Sequence, residues 1–427
     1  MKKNFIWAVG ALLICGVAEV FAQTTQDEMF SDLNRTGGVY YAYPVKESQN
    51  TPAPEGYEPF YISHYGRHGS RYLISDRDYE SVAEVLHDAD RHGVLTPLGK
   101  DVMKRLDNVM VETDKRGGDL TPLGARQHKG IAKRMMMSYP EVFKGNKTVS
   151  ARSTLVVRCV LSMAAFCDQL KEMNPALDIT CESSQRYMPY LCYHSDESNQ
   201  WRDDPKNFRR AYRKFEEQHV NPDRLLSSLI SDPEFIKFRV DPENFMWNMY
   251  YIASGMQDIE TDIDFYDIFT PQELFDMWQC FNYRFYVGDG NYPGSNELII
   301  NNAKPLLRNI LESAQSSIEN LAGDAATLRF GHDGNLIPLA ALMHLENCDL
   351  QESDSENFYK AFADWKIAPM AGNLQMIFFR NKKNPEDIIV KFMLNEEEKR
   401  IPIATDTFPF YKWDDVKNYY EGIIDGE

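Results

Sequence analysis

The sequence predicts an α/β protein: a three-layer core around a mainly parallel central sheet, carrying a helical insertion or cap domain. Three observations predict it. Strand-like segments followed by helical patterns occur near both ends of the chain. Residues 186–320 are instead rich in Trp, Tyr and Phe at helical spacing, with few strand signals. The segments richest in Arg, His and Gly follow directly on predicted strands, the edge where open α/β sheets bind ligands. The chain therefore divides into a signal segment 1–22, a first core part 23–185, a helical cap 186–320 and a second core part 321–427.

Each element has a local reason. Lys2 and Lys3 precede a nearly uncharged apolar run over 5–17, and Val20-Phe21-Ala22 ends in a small residue. This is the pattern of a secretory signal cleaved after Ala22, and the run is short for a membrane span. A lipoprotein reading at Cys15 competes, with bulky Ile14 where a small residue is wanted. Residues 23–35 are polar and read as a flexible leader. Residues 60–65 read as a strand entering "GRHGSR", 148–151 as a strand ending at Arg152, and 327–330 as a strand ending at Gly331-His332-Asp333. "TPLG" occurs at 96–99 and again at 121–124. In each copy Thr caps a helix and Pro fits its first turn. A helix over 205–218 places Phe208, Tyr212 and Phe215 on one face, with Lys206, Arg209, Arg210, Arg213 and Lys214 around the rest. Residues 373–380 and 387–394, joined by "NKKNP", read as a hairpin.

Composition narrows the function. With 43% apolar and 12% aromatic residues the 427-residue chain can bury a large core. A net charge of −18 argues against nucleic-acid binding. An anionic small molecule then needs a local cationic cluster, which screening over about 8 Å lets act independently of the global charge. Beyond the signal there are six cysteines without CxxC spacing, so no zinc site is expected. Cys181 and Cys192 are the pair nearest loop sequence, although buried free thiols plus at most one bridge is the favoured reading.

The cationic cluster is "YGRHGSRY". His68 stands between Arg67 and Arg71, where a strand ends and the chain turns through Gly66 and Gly69. Guanidinium forks match phosphate oxygens, imidazole can carry a covalent intermediate, and glycines let backbone approach an anion closely. Arg-His-Gly-x-Arg should arise by chance in about one in a thousand chains of this size. The second triplet, Arg91-His92-Gly93, follows a helical pattern and is followed at +3 by Thr96, so it reads as a helix end with Gly93 in the cap. His-Asp pairs occur at 87–88 and 332–333, and only the second follows a strand and a glycine.

Together, Arg67-His68-Gly69-Ser70-Arg71, "LTPLGARQ" at 120–127, "RSTLVVRCVLSMAAF" at 152–166, "GHDGN" at 331–335 and the late "NLQMIFFR" resemble the histidine acid phosphatases, the branch with phytases and multiple inositol polyphosphate phosphatases. The matches run in family order from about 60 to 395. "RCVLSMAAF" leans toward the inositol polyphosphate phosphatases. "GHDGNL", in place of their His-Ala-Glu, looks more like bacterial phytases and glucose phosphatases. The resemblance implies that His68 accepts the phosphoryl group and Asp333 protonates the leaving alcohol. It implies that Arg67, Arg71, Arg158 and His332 hold phosphate, with Arg152 the rival for the third arginine. It implies hydrolysis of phosphomonoesters, inositol phosphates foremost, with no metal or other cofactor. The alternatives are a broad acid or sugar-phosphate phosphatase and a phosphate-ester binding protein without catalysis. The expected protein is a periplasmic or secreted monomer acting on a small phosphate ester, with no nucleic-acid partner and no stable membrane span.

Overall fold

The first predicted strand is realised as β1 (Tyr57–Arg67) in a computed structural model, which describes residues 25–44, 50–320 and 323–426. Its side chains alternate as the pleat requires. Tyr61 and Tyr65 enter one hydrophobic cluster and Ile62 another, so both faces are covered. β2 (Thr148–Ser153), β3 (Asp178–Ser183) and β4 (Ala326–Gly331) join β1 in parallel. β5 (Asn373–Asn381) continues the sheet antiparallel to β1, followed by β6 (Ile388–Leu394), with β7 (Glu397–Lys399) and β8 (Tyr411–Lys412) both pairing with β6. The order is β3-β2-β4-β1-β5-β6-β7: a mixed sheet whose parallel half carries the motifs.

Helices cover both faces. Pro122–Ser138 and Val157–Met173 pack on one, and Lys304–Glu319, Asp333–Leu342 and Trp413–Asp425 on the other, giving three layers. The two TPLG starts are helix starts. Thr96 and Thr121 Oγ1 accept from the Gly99 and Gly124 amides at 3.0 and 3.1 Å, with Pro in the first turn. The described residues between 186 and 320 form helices and turns, apart from an isolated bridge from Ile230 to Leu95. Packing ignores the segment boundary. Val82, Leu86 and Leu106, from helices Asp76–Arg91 and Pro97–Thr113, share one cluster with Leu226, Met249 and Phe281.

Some expectations change. The proposed signal segment lies outside the described residues. The polar leader at 23–35 is not loose where it is described. Residues 25–31 are helical, and Met29 is fully buried with Phe275 and Trp278. A 3-10 helix, Leu33–Tyr40, then brings Val39 and Tyr40 into the second cluster. Local polarity could not reveal this, because the partners lie more than two hundred residues away. The helix expected at 205–218 begins as a π-helical turn, Pro205–Arg209, and becomes α-helical at Arg210–His219. Phe215 is buried, and Tyr212 stacks with Tyr283, while Arg209, Arg210, Arg213 and Lys214 are exposed. All six cysteines are free thiols, and Cys181 lies in β3 rather than in a loop. No described helix is long and apolar enough to cross a membrane.

Candidate active site

Three motifs meet because three neighbouring parallel strands end at one edge of the sheet. Arg67 in β1 is in register with Gly331 in β4, and Ser153 in β2 with Phe330. The residues just beyond those ends are His68, His332-Asp333 and the loop leading to Arg158 in the second position of the helix Val157–Met173. The His68 amide donates to the Gly331 carbonyl at 3.0 Å, which stitches the first motif to the last.

The loop after β1 is fixed by "LTPLGARQ". Thr121 donates its amide and hydroxyl to the Ser70 carbonyl at 2.9 and 3.0 Å. Gln127 accepts from the Ser70 amide and donates to Ser70 Oγ, each at 2.8 Å. A Cβ on Gly69 would stand 2.4 Å from the Gly124 carbonyl oxygen, and one on Gly124 would stand 2.2 Å from the Ser70 oxygen. Both positions therefore need glycine for close backbone approach.

His68 is almost fully buried. Its Nδ1 lies 2.9 Å from the Gly69 carbonyl oxygen. A carbonyl only accepts, so Nδ1 carries the ring proton and Nε2 keeps a lone pair. Burial, reinforced by Arg67, Arg71, Arg158 and His332, holds the His68 pKa well below its ordinary value, so the ring is neutral. The His332 ring centroid is 5.7 Å away, and His332 Nε2 is 3.2 Å from Thr154 Oγ1. Burial and the three arginines, against the pull of Asp333, bring His332 down to about 4.

Arg67 has no exposed surface. Its Nη1 donates to the Val39 and Ala368 carbonyls at 2.5 and 2.8 Å, and Nη2 pairs with Asp333 Oδ2 at 2.8 Å. Arg71 Nη1 donates to the Tyr72 carbonyl at 2.9 Å, with the guanidinium 4.9 Å over the Tyr40 ring. Burial and the charges of Arg71 and Arg67 depress the Arg158 pKa, with Asp333 pulling the other way. Arg152 is engaged elsewhere: its guanidinium lies 4.8 Å over Tyr187 and pairs with Glu182 at 3.7 Å. Asp333 opens the helix Asp333–Leu342, and its Oδ1 accepts from the Gly334 amide at 2.8 Å. Burial alone would raise this carboxyl, but Arg67, His332 and Arg71 outweigh it and hold the pKa below the ordinary value. Among the described residues, no group of three or more His, Cys, Asp or Glu is placed to hold a metal ion.

A buried neutral histidine with a free Nε2, ringed by three arginines and accompanied by a carboxyl just beyond the next strand, can accept and hold a phosphoryl group. The model of the histidine phosphatase superfamily, branch 2, matches residues 66–395. The chain belongs to that family. This histidine phosphatase is a phosphomonoester hydrolase. Its fold is similar to that of Bifidobacterium longum multiple inositol polyphosphate phosphatase in complex with inositol hexasulfate, at TM-score 0.76 and 19% identity, covering 90% of this chain and 97% of that one. It is also similar to the phytase from D. castellii, at TM-score 0.67 and 16% identity, covering 92% and 85%. No curated protein matches in sequence.

Two acids that the motifs of this histidine phosphatase do not contain lie beside them. Asp258, fully buried, accepts from Ser70 Oγ at 2.6 Å, and its Oδ2 has no partner. Burial pushes its carboxyl up to about 8 against the Ser70 hydrogen bond and the charges of Arg71 and Arg67. Asp289 Oδ1, held by Arg202 Nη2 at 2.9 Å, lies 3.3 Å from where a Cβ on Gly334 would stand, beside Asp333. Neither acid carries a sequence signal, because each is an ordinary Asp next to a helix end.

Proposed function

We propose that this phosphatase works through a phosphohistidine on His68, with inositol phosphates as its preferred substrates, and that it is exported to the periplasm or beyond. The observation that carries the mechanism is the Nδ1 contact to Gly69, which leaves Nε2 as the unprotonated nitrogen of the His68 ring, beside three arginines. Nε2 attacks phosphorus, a P–N bond forms, and the P–O bond to the alcohol breaks. Asp333 gives its proton to the departing oxygen. Water then attacks the phosphorus, a P–O bond forms and the P–N bond breaks with its electron pair returning to Nε2, the Asp333 carboxylate takes the water's proton, and inorganic phosphate leaves.

The ion pair with Arg67 opposes an acid role for Asp333 only until a phosphate oxygen competes for the same Nη2. Weakening that pair raises the Asp333 pKa toward the protonated form, so binding and acid catalysis are coupled through one guanidinium. The inositol phosphate class is supported by "RCVLSMAAF" and by the fold of the Bifidobacterium enzyme. Export is supported by the basic and apolar pattern of residues 1–22. The test is phosphate release from phytate, glucose 1-phosphate and p-nitrophenyl phosphate with chelator present, together with acid-quench trapping of an acid-labile phosphoenzyme. Phytate is expected to lead. Preference for glucose 1-phosphate would reassign the protein as a sugar-phosphate phosphatase, and failure to trap phosphoenzyme would reject the covalent route.

A further inference from the structure

The two arginines flanking His68 are held in different ways. Arg67 is fixed by two backbone carbonyls and the Asp333 carboxylate, all of which take up N–H donors. Arg71 is nearly as enclosed, and Nε is unpartnered in both arginines, but Arg71 makes one backbone hydrogen bond, from Nη1 to the Tyr72 carbonyl, and has no carboxylate of its own. What lies against it instead is Tyr40, its ring centroid 4.9 Å from the guanidinium carbon and its hydroxyl near enough to interact with the same guanidinium. That ring is itself fixed. It is nearly fully buried, stacks on Phe281 at 5.9 Å and 27°, and touches Tyr251 at 6.2 Å. Phe281 belongs to the helix Pro271–Asp289, so the N-terminal segment is wedged between the helical block and the site.

A ring face attracts a guanidinium without occupying its N–H fork. A carboxylate in the same place would compete with phosphate for those donors. We propose that Tyr40 is a positioning residue: its ring face, more than its hydroxyl, holds Arg71 in place and so keeps guanidinium donors available for the substrate phosphate. This rests on the reading of Arg71 as a phosphate-binding group. The same segment serves Arg67 through the Val39 carbonyl, and Val39 is anchored by its amide to Asp364 Oδ2 at 3.1 Å. One short stretch, absent from the family's motifs, thus sets both arginines.

The experiment compares Tyr40→Phe with Tyr40→Leu. The readouts are inhibition by inorganic phosphate, KM and kcat for p-nitrophenyl phosphate, and the thermal shift that phosphate induces. Tyr40→Leu is expected to raise the phosphate inhibition constant and KM together by about tenfold, within the range of a desolvated cation–π contact. Tyr40→Phe, which keeps the ring, should stay within about threefold of the wild type. An unchanged inhibition constant in folded Tyr40→Leu overturns the proposal. So does an equal loss in Tyr40→Phe, which would place the effect on the hydroxyl. Should Tyr40→Leu not fold, Phe281→Leu removes the backing of the ring. About threefold weaker phosphate binding is then expected, and unchanged binding overturns the proposal. Thermal shifts measured in the His68→Ala background report phosphate binding without turnover. Failure of the phosphatase reading is therefore seen apart from failure of the Tyr40 assignment.

Discussion

The tripeptide Arg-His-Gly occurs twice, and its two copies have opposite fates. In Arg67-His68-Gly69 the arginine has no exposed surface and the histidine almost none. In Arg91-His92-Gly93 the arginine side chain is 67% exposed and the histidine side chain 42%, both paired with Asp88 on the same helix. Gly69 is needed because Gly124 backbone presses on it, whereas a Cβ on Gly93 would meet nothing. Gly93 instead ends a helix at φ +69°, a conformation that favours glycine. Identical side chains thus become a buried cationic cluster at a strand end and a solvated cap at a helix end. The difference lies in what the neighbours remove: water, alternative hydrogen-bond partners and counter-charges.

The contrast is broken most severely by His68→Ala, which should lower phosphomonoesterase activity by a thousandfold or more with the fold retained. Steady-state rates and circular dichroism check it. A folded variant with substantial turnover would remove the nucleophile from the first triplet.

Asp333→Asn comes next. It keeps the size of the side chain but has no proton to give. Turnover of phytate or glucose 1-phosphate should fall about a hundredfold or more, since an alkoxide leaves poorly. The pre-steady-state burst of nitrophenol from p-nitrophenyl phosphate should survive, because nitrophenolate leaves unaided. Loss of the burst to the same degree would give Asp333 a positioning role instead.

A stability measurement sharpens the comparison by going one layer beneath the first triplet. His64 and His128 are fully buried beside Phe166 and Phe330, and each is brought down to about 3, chiefly by burial, which outweighs the pull of the Arg67 backbone on His128. In the unfolded chain each titrates near 6.5. Between those values the unfolded state binds more protons, so stability falls as pH drops through this window, and the loss is complete below about 3. His128→Leu should recover on the order of 3 kcal/mol of that loss at pH 4 relative to pH 7, read as a smaller decline in Tm. An identical decline in the variant would mean that His128 is not buried neutral. Smallest of all, His92→Ala should leave activity within about twofold and stability within about 0.5 kcal/mol, as expected for an exposed side chain. A large loss of turnover there would mean that the second triplet had been misjudged.

Much of this was legible before any fold was known, because it is written in local spacing. Apolar alternation ending in Arg67-His68-Gly69, the Thr-Pro starts of two helices and the strand-glycine-His332-Asp333 run are each complete within about ten residues. Their consequences are set by backbone geometry that a short segment imposes on itself. The absence of an arginine after the second triplet was equally local. The sequence by itself determined the sheet edge at which the Arg, His and Asp motifs gather and which histidine stands there. Only the tertiary structure decided that Arg158 rather than Arg152 stands among the site's charges, since both follow or end the same strand and differ in which neighbours they reach. It alone folded the polar-looking N-terminal segment against the helical block, where Met29, Val39 and Tyr40 find apolar partners. It also brought Asp258 to Ser70 and Asp289 to Gly334. These contacts join residues separated by tens to hundreds of positions. Their energy comes from burial and desolvation, quantities that exist only once distant segments have excluded water between them.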